Sequence, residues 1–194
     1  MNKLEKSDLL SLEEYNSTRE VLRKKVLAIK KNRKIQIGNN VTLLFENTDT
    51  IRYQIQEMLR IEKIFEADGI EEELATYNPL IPDGTNLKAT MMIEFPDETI
   101  RKERLAQLVA IERRVWLQVG ENERTFAEAD EDLERSTEEK TSAVHFLRFE
   151  LTDLMVKDLK SGITLFAGIE HPNYNIRTQE IPIVTSSALA EDLS

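Results

Sequence analysis

A chain of 194 residues, 40% hydrophobic and 32% charged, carries enough apolar material for a sizeable core, and its net charge of −10 opposes general affinity for nucleic acid. The absence of cysteine excludes a disulfide framework, a thiolate zinc site, a cysteine nucleophile and a cysteine-ligated iron–sulfur cluster. The opening MNKLEKSDLLSLEEY scatters charge where a signal peptide needs an apolar stretch, and no apolar run approaches the ~20 residues of a membrane helix, which points to the cytoplasm.

Along the chain, Ser7 or Asp8 is placed to cap a first helix, and a second helical stretch covers 17–31. Within 19–34 the cations Arg19, Arg23, Lys24, Lys25, Lys30, Lys31, Arg33 and Lys34 face Glu20 as the single acid. This run reads either as the solvated side of a helix packed through Leu22, Val26 and Ile29, or as a surface for an anionic ligand or acidic partner. Gly38-Asn39-Asn40 separates two strand-like runs, 34–37 and 41–45, as in a hairpin. A strongly periodic helix follows over 49–66 and a short one over 71–77. The Pro/Gly-rich 78–84 is where a subdomain boundary would fall in an otherwise single α+β domain.

Strand periods recur at 88–95, 113–119, 143–151 and 163–171, with helices expected from Asp97 to 111 and from the cap Thr152 to Ser161-Gly162. The acidic 121–141 is weakly patterned, and 181–193 reads as a terminal helix. The resulting β-α-β-β-α-β order matches a ferredoxin-like antiparallel sheet of about four strands with the N-terminal helices packed on it. A meander with inserted helices gives the same string.

No GxGxxG, GxxxxGK[ST], HExxH or GxSxG motif occurs, and two histidines cannot build a three-histidine metal site. Attention therefore falls on polar residues in apolar places. At about 100° per residue, Glu62 lies within the stripe of Ile51, Ile55, Met58, Leu59 and Phe65, and Glu57 lies between that stripe and a second patch of Tyr53, Ile61 and Ile64. A buried carboxylate needs an arginine such as Arg113 or Arg148, a histidine, a metal, or its own proton. On the third strand His145 shares a face with Leu147 and Phe149, while Arg148 shares the other with Val144 and Phe146. Glu94 lies on the face of Thr90 and Met92. His171-Pro172-Asn173-Tyr174 forms a turn in which His171 and Tyr174 either face one opening or simply cap the chain reversal.

Several of these stretches resemble the DUF3501 family, a domain of unknown function. The matching parts are 42–47 (TLLFEN), 51–62 (IRYQIQEMLRIE), 87–94 (LKATMMIE), 144–149 (VHFLRF) and 171–174 (HPNY). The resemblance covers most of the chain. It implies no established activity, but it implies a redox or iron-linked context with a rubrerythrin-like or iron–sulfur partner.

Two functional expectations follow. The first is a self-associating accessory or binding protein that works with a redox or iron-handling partner; the missing catalytic motifs and the contrast between a basic N-terminal helix and an acidic 121–140 favour it. The second is a metal or small-ligand site, for binding alone or for catalysis, built from Glu57, Glu62, Glu94 and His145 with His171 at the rim and Arg52, Tyr53, Arg148 and Tyr174 in support. Such a ligand set suits iron, manganese or zinc.

Overall fold

A computed structural model of the chain describes residues 3–137 and 139–194; Met1, Asn2 and, in the acidic stretch, Glu138 lie outside the described residues. In chain order the elements are α1 (Leu12–Lys31), β1 (Lys34–Ile37), β2 (Val41–Phe45), α2 (Thr48–Glu62), α3 (Ala67–Tyr77), β3 (Asn86–Ile93), α4 (Glu98–Gln107), β4 (Val115–Val119), β5 (Thr125–Phe126) and β6 (Glu128–Ala129). They continue with β7 (Val144–Glu150), α5 (Asp153–Lys160), β8 (Leu165–His171), β9 (Tyr174–Arg177) and α6 (Ile183–Ala190). Short 3-10 turns occupy Lys6–Asp8, Asn78–Leu80 and Ile111–Arg114.

The class is α+β, but the strands form two antiparallel sheets, ordered β1-β2-β3-β7-β6 and β5-β4-β8-β9. This departs from a single ferredoxin-like sheet. The first and third strands of the expected order, β3 and β7, are antiparallel neighbours in one sheet, while the second and fourth, β4 and β8, pair in the other. The physical reason lies in what covers the strands. Of the two helices expected to cover a single sheet, α4 buries none of its residues and α5 buries only Met155 and Leu159, and the apolar faces of the two sheets bury each other. Val41, Leu43 and Phe45 of β2 and Leu87, Ala89 and Met91 of β3 share one core with Val115, Leu117 and Val119 of β4 and Leu165, Ala167 and Ile169 of β8.

The two sheets are joined at both sides. Within 125–129 the chain leaves one sheet for the other: β5 pairs with β4, β6 pairs with β7, and buried Ala127 lies between. On the far side the Tyr174 hydroxyl donates to the Ile37 carbonyl at 2.6 Å. That approach requires glycine at position 38, where φ is +64° and an added Cβ would sit 2.4 Å from Ile176 Cδ1 and 2.6 Å from the Tyr174 hydroxyl.

The N-terminal helices form a layer with its own apolar cluster of Leu4, Ile51, Ile55, Leu59, Leu74 and Ile81. Ser11 and Glu14 form a capping box that starts α1, later than the Ser7 or Asp8 start expected; residues 6–8 make only a 3-10 turn. The layer meets the outer face of the five-stranded sheet through polar contacts. The Glu46 carboxylate accepts from Thr50 Oγ1 of α2 at 2.6 Å and from Thr90 Oγ1 of β3 at 2.7 Å. Lys88 Nζ donates to the Pro79 carbonyl at 2.6 Å.

Candidate functional site

The alternation of β7 turns His145, Leu147 and Phe149 into the core, with His145 opposite Met91 of β3. His145 sits where the segment between β6 and β7 passes over the open end of that core. Asp130 there adopts φ 53°, a left-handed conformation that Asp accepts more readily than most residues. Its amide donates to the Phe146 carbonyl at 2.9 Å and its Oδ1 accepts from the Phe146 amide at 3.0 Å. That leaves Oδ2 at 2.6 Å from His145 Nδ1.

The other ring nitrogen, Nε2, lies 2.8 Å from Thr141 Oγ1 and 3.0 Å from the Ser142 carbonyl. Two hydroxyls then lead to a second carboxylate: Ser136 Oγ donates to Glu112 Oε1 at 2.9 Å and Thr141 Oγ1 to Oε2 at 3.2 Å. Glu112 Oε2 is 3.9 Å from Nε2. Each ring nitrogen thus faces an acceptor, Nδ1 the Asp130 carboxylate and Nε2 the Ser142 carbonyl.

A hydroxyl, an imidazole and a carboxylate at these spacings are the parts of an activated nucleophile. Here they are closed off. His145 is 0%, Thr141 2% and Glu112 4% exposed, and their polar atoms are spent on one another. As built, the cluster fastens segment 130–142 to the end of β7.

The sequence-derived candidates do not gather around this histidine. Glu57 is held between α1 and α2: Arg19 donates to both its oxygens at 2.7 and 2.8 Å, the Tyr15 hydroxyl donates at 2.8 Å, and Arg60 adds two longer bonds at 3.3 Å. The Arg19 guanidinium, helped by Arg60 and Tyr15, holds the Glu57 carboxyl down at about 2. Its partner thus comes from the basic helix, and neither Arg113 nor Arg148 serves. Burial, then the bond to Glu57, pushes the Tyr15 hydroxyl up.

Glu62 is exposed, against the expectation that it is buried. The helix ends at Glu62 because Lys63 turns left-handed, with φ 58° and ψ 40°. Phe65, counted in the apolar stripe, lies outside the helix and is 70% exposed. Glu94 is exposed just beyond β3, where its Oε2 accepts from Thr42 Oγ1 at 2.7 Å. It lies on the sheet face opposite His145, since it alternates away from Met91, the residue that pairs with His145.

Arg148 lies on the outer face, clamped by Glu128, Glu131 and Glu150, and the bond to Glu131 is foremost in holding its guanidinium protonated. His171 Nε2 faces the Val109 carbonyl at 3.1 Å and Nδ1 accepts from the Asn173 amide at 3.2 Å, so it caps the β8–β9 turn. Tyr174 joins the sheets as described. Arg52 pairs with Asp49 at 2.9 Å beside half-buried Tyr53. Among the described residues no group of three or more His, Asp or Glu side chains is arranged to hold a metal ion.

Sequence reasoning missed the polar residues that form the His145 cluster and the buried arginine. Asp130, Ser136 and Thr141 lie in a stretch without period, and Glu112 in a 3-10 turn too short to show one. Arg33 looks like any other cation of the basic run, yet it is 2% exposed. It pairs with Asp192 beyond α6 and donates to the carbonyls of Phe45, Ala188 and Glu46. Burial lowers its guanidinium to about 10.

An open groove of about 990 Å³ runs across the β1–β2 turn, the end of β3 and the start of β7. Gln36, Asn39, Glu94 and Arg101 give it polar edges, and Phe95 and Val144 an apolar floor. No helix among the described residues is long and apolar enough to cross a membrane.

A crystal structure of a protein of unknown function from Burkholderia pseudomallei K96243 superposes with a TM-score of 0.95 at 53% sequence identity, covering 100% of both chains. Among curated proteins nothing matches the sequence. The family model described as a protein of unknown function, DUF3501, matches residues 3–193, and the chain belongs to that family.

Proposed function

We propose that the protein is a non-catalytic accessory protein that binds a protein partner through the groove beside the β1–β2 turn. The observation that carries this reading is the closure of the His145 cluster. The imidazole, Thr141, Glu112 and Asp130 have the composition of a catalytic site, but they satisfy one another inside the core and leave no room for a substrate. The other candidate groups, Glu57, Arg148 and His171, are likewise bound to partners within the chain.

The groove differs in kind. Val144 is 40% exposed at its floor, Glu94 stands free of any arginine clamp, and the lining mixes apolar and polar groups as partner-binding surfaces do. The partner class is the redox or iron-handling protein that the family resemblance implies.

Capture of tagged protein from native cells, under reducing and under oxidising conditions, tests the reading. Wild type should retain one specific partner of that class, and Val144→Arg should lose it without a change in unfolding temperature. Recovery of no specific partner in either condition, or equal recovery with Val144→Arg, would contradict it.

A further inference from the structure

Two surfaces of opposite charge face solvent on separate elements. The first is the outer side of α1, which packs on the molecule through buried Tyr15 and Val26 and half-buried Leu22 and Ile29. The basic run of this helix is divided in what it does. Arg19 is spent on Glu57 and Arg33, just past the helix, on Asp192. Arg23, Lys24, Lys25 and Lys31 are exposed, and none of them makes an ion pair among the described residues. At about 100° per residue, Lys24, Lys25 and Lys31 stand within about 80° of Val21, which is 71% exposed. Leu27, one turn before Lys31, is 53% exposed.

The second surface is the acidic stretch that follows β4. Arg148 holds Glu128 and Glu131, and Arg135 holds Asp132. Glu121, Glu123, Glu134 and Glu139 are exposed and make no ion pair among the described residues. Leu133, between Asp132 and Glu134, is 65% exposed. Within one copy the two surfaces stay apart, since no ion pair among the described residues joins α1 to 121–140.

Unpaired charge of either sign is ordinarily just solvated. Here each set of unpaired charges flanks an exposed apolar side chain, the mixture found at interfaces, and each has its complement on every other copy of the chain. The net charge of −10 makes copies repel at a distance, but salt at physiological strength screens that repulsion beyond ~8 Å and leaves charges in contact attracting.

We propose that the protein self-associates by docking the outer face of α1, around Val21, Lys24 and Lys31, onto the acidic segment around Leu133, Glu134 and Glu139 of a second copy. The contact joins unlike faces of two copies and shares no residue with the groove, so it stands or falls apart from partner binding there.

Sedimentation velocity of the full-length chain over a dilution series tests this. In about 0.1 M salt the wild type should sediment faster as its concentration rises, and the effect should fade in about 1 M salt, where charges are screened beyond ~3 Å. Lys24→Glu with Lys31→Glu should weaken self-association about a hundredfold or more, and Glu134→Lys with Glu139→Lys should do the same, because each pair of changes sets like charges face to face. An equimolar mixture of the two double variants should associate again, since each reversed surface then meets its opposite. A foreign acidic partner for α1 would leave the purified chain monomeric and the mixture unchanged. A wild type that stays monomeric into the millimolar range, association undiminished in 1 M salt, or a mixture that fails to associate although both variants keep the wild-type unfolding temperature, would overturn the proposal. The wild-type salt series decides the question even where a variant fails to fold.

Discussion

At the scale of single residues, this molecule is organised by where buried carboxylates find their donors. His145 bonds Asp130 directly and reaches Glu112 only through the Thr141 hydroxyl, so its removal takes a partner from one carboxylate that is nearly out of water and breaks the chain of bonds that leads to a second. His145→Phe should therefore destabilise the fold by about 3–5 kcal/mol in urea titration, far more than an apolar exchange at a core position of equal size. Glu57 makes the complementary, milder case. Its side chain is 14% exposed and its folded pKa is held at about 2, below the ~4.3 of an unfolded glutamate. A depressed carboxyl stabilises the fold at pH above the unfolded value and loses that contribution as pH falls toward the folded one. The stability gap between wild type and Glu57→Gln, about 2 kcal/mol at neutral pH, should thus shrink between pH 5 and pH 2 when measured by urea midpoints. That some carboxylates lie inside was legible from the sequence. Which ones was not: Glu62 shares the angular stripe of Ile51 but sits past the last residue that anything covers, while buried Glu46 precedes a helix and belongs to no period.

At the scale of elements, local chemistry was read well and pairing was not. The hairpin turn at Gly38, the Asp97 and Thr152 caps, and the strands around Met91, Leu117, Leu147 and Ala167 follow from caps and alternation that act within a few residues. Helix α2 ends earlier than its apolar pattern suggests, because Lys63 adopts a left-handed conformation that a side chain disfavours. Lys63→Gly should accordingly raise stability by about 1 kcal/mol, seen as a higher unfolding temperature with helix content unchanged. The strands β5 and β6 escaped notice since two residues are too few to display alternation, and β9 was read only as the turn that opens it. Alternation also cannot say which strand lies beside which. The same inward-facing residues fit one covered sheet or two facing ones.

At the scale of the whole molecule, two sheets close over one core, a helical layer sits outside the larger sheet, and the C-terminal segment is bound back across the chain by Arg33 and Asp192. That ion pair is buried on both sides, so Asp192→Ala leaves an uncompensated guanidinium. It should cost about 3–5 kcal/mol and speed hydrogen exchange first in α6, as followed by mass spectrometry. With the charged interior engaged in holding elements together, the partner binding we propose falls on the surface, at the groove beside Val144. Photocrosslinking in native cells from a probe at position 144 addresses that assignment directly, with a probe at the exposed Glu72 of α3 as control. The account predicts one specific adduct from position 144, carrying a redox or iron-handling protein, and none from position 72. The absence of any adduct from 144, or the same adducts from both positions, would contradict it.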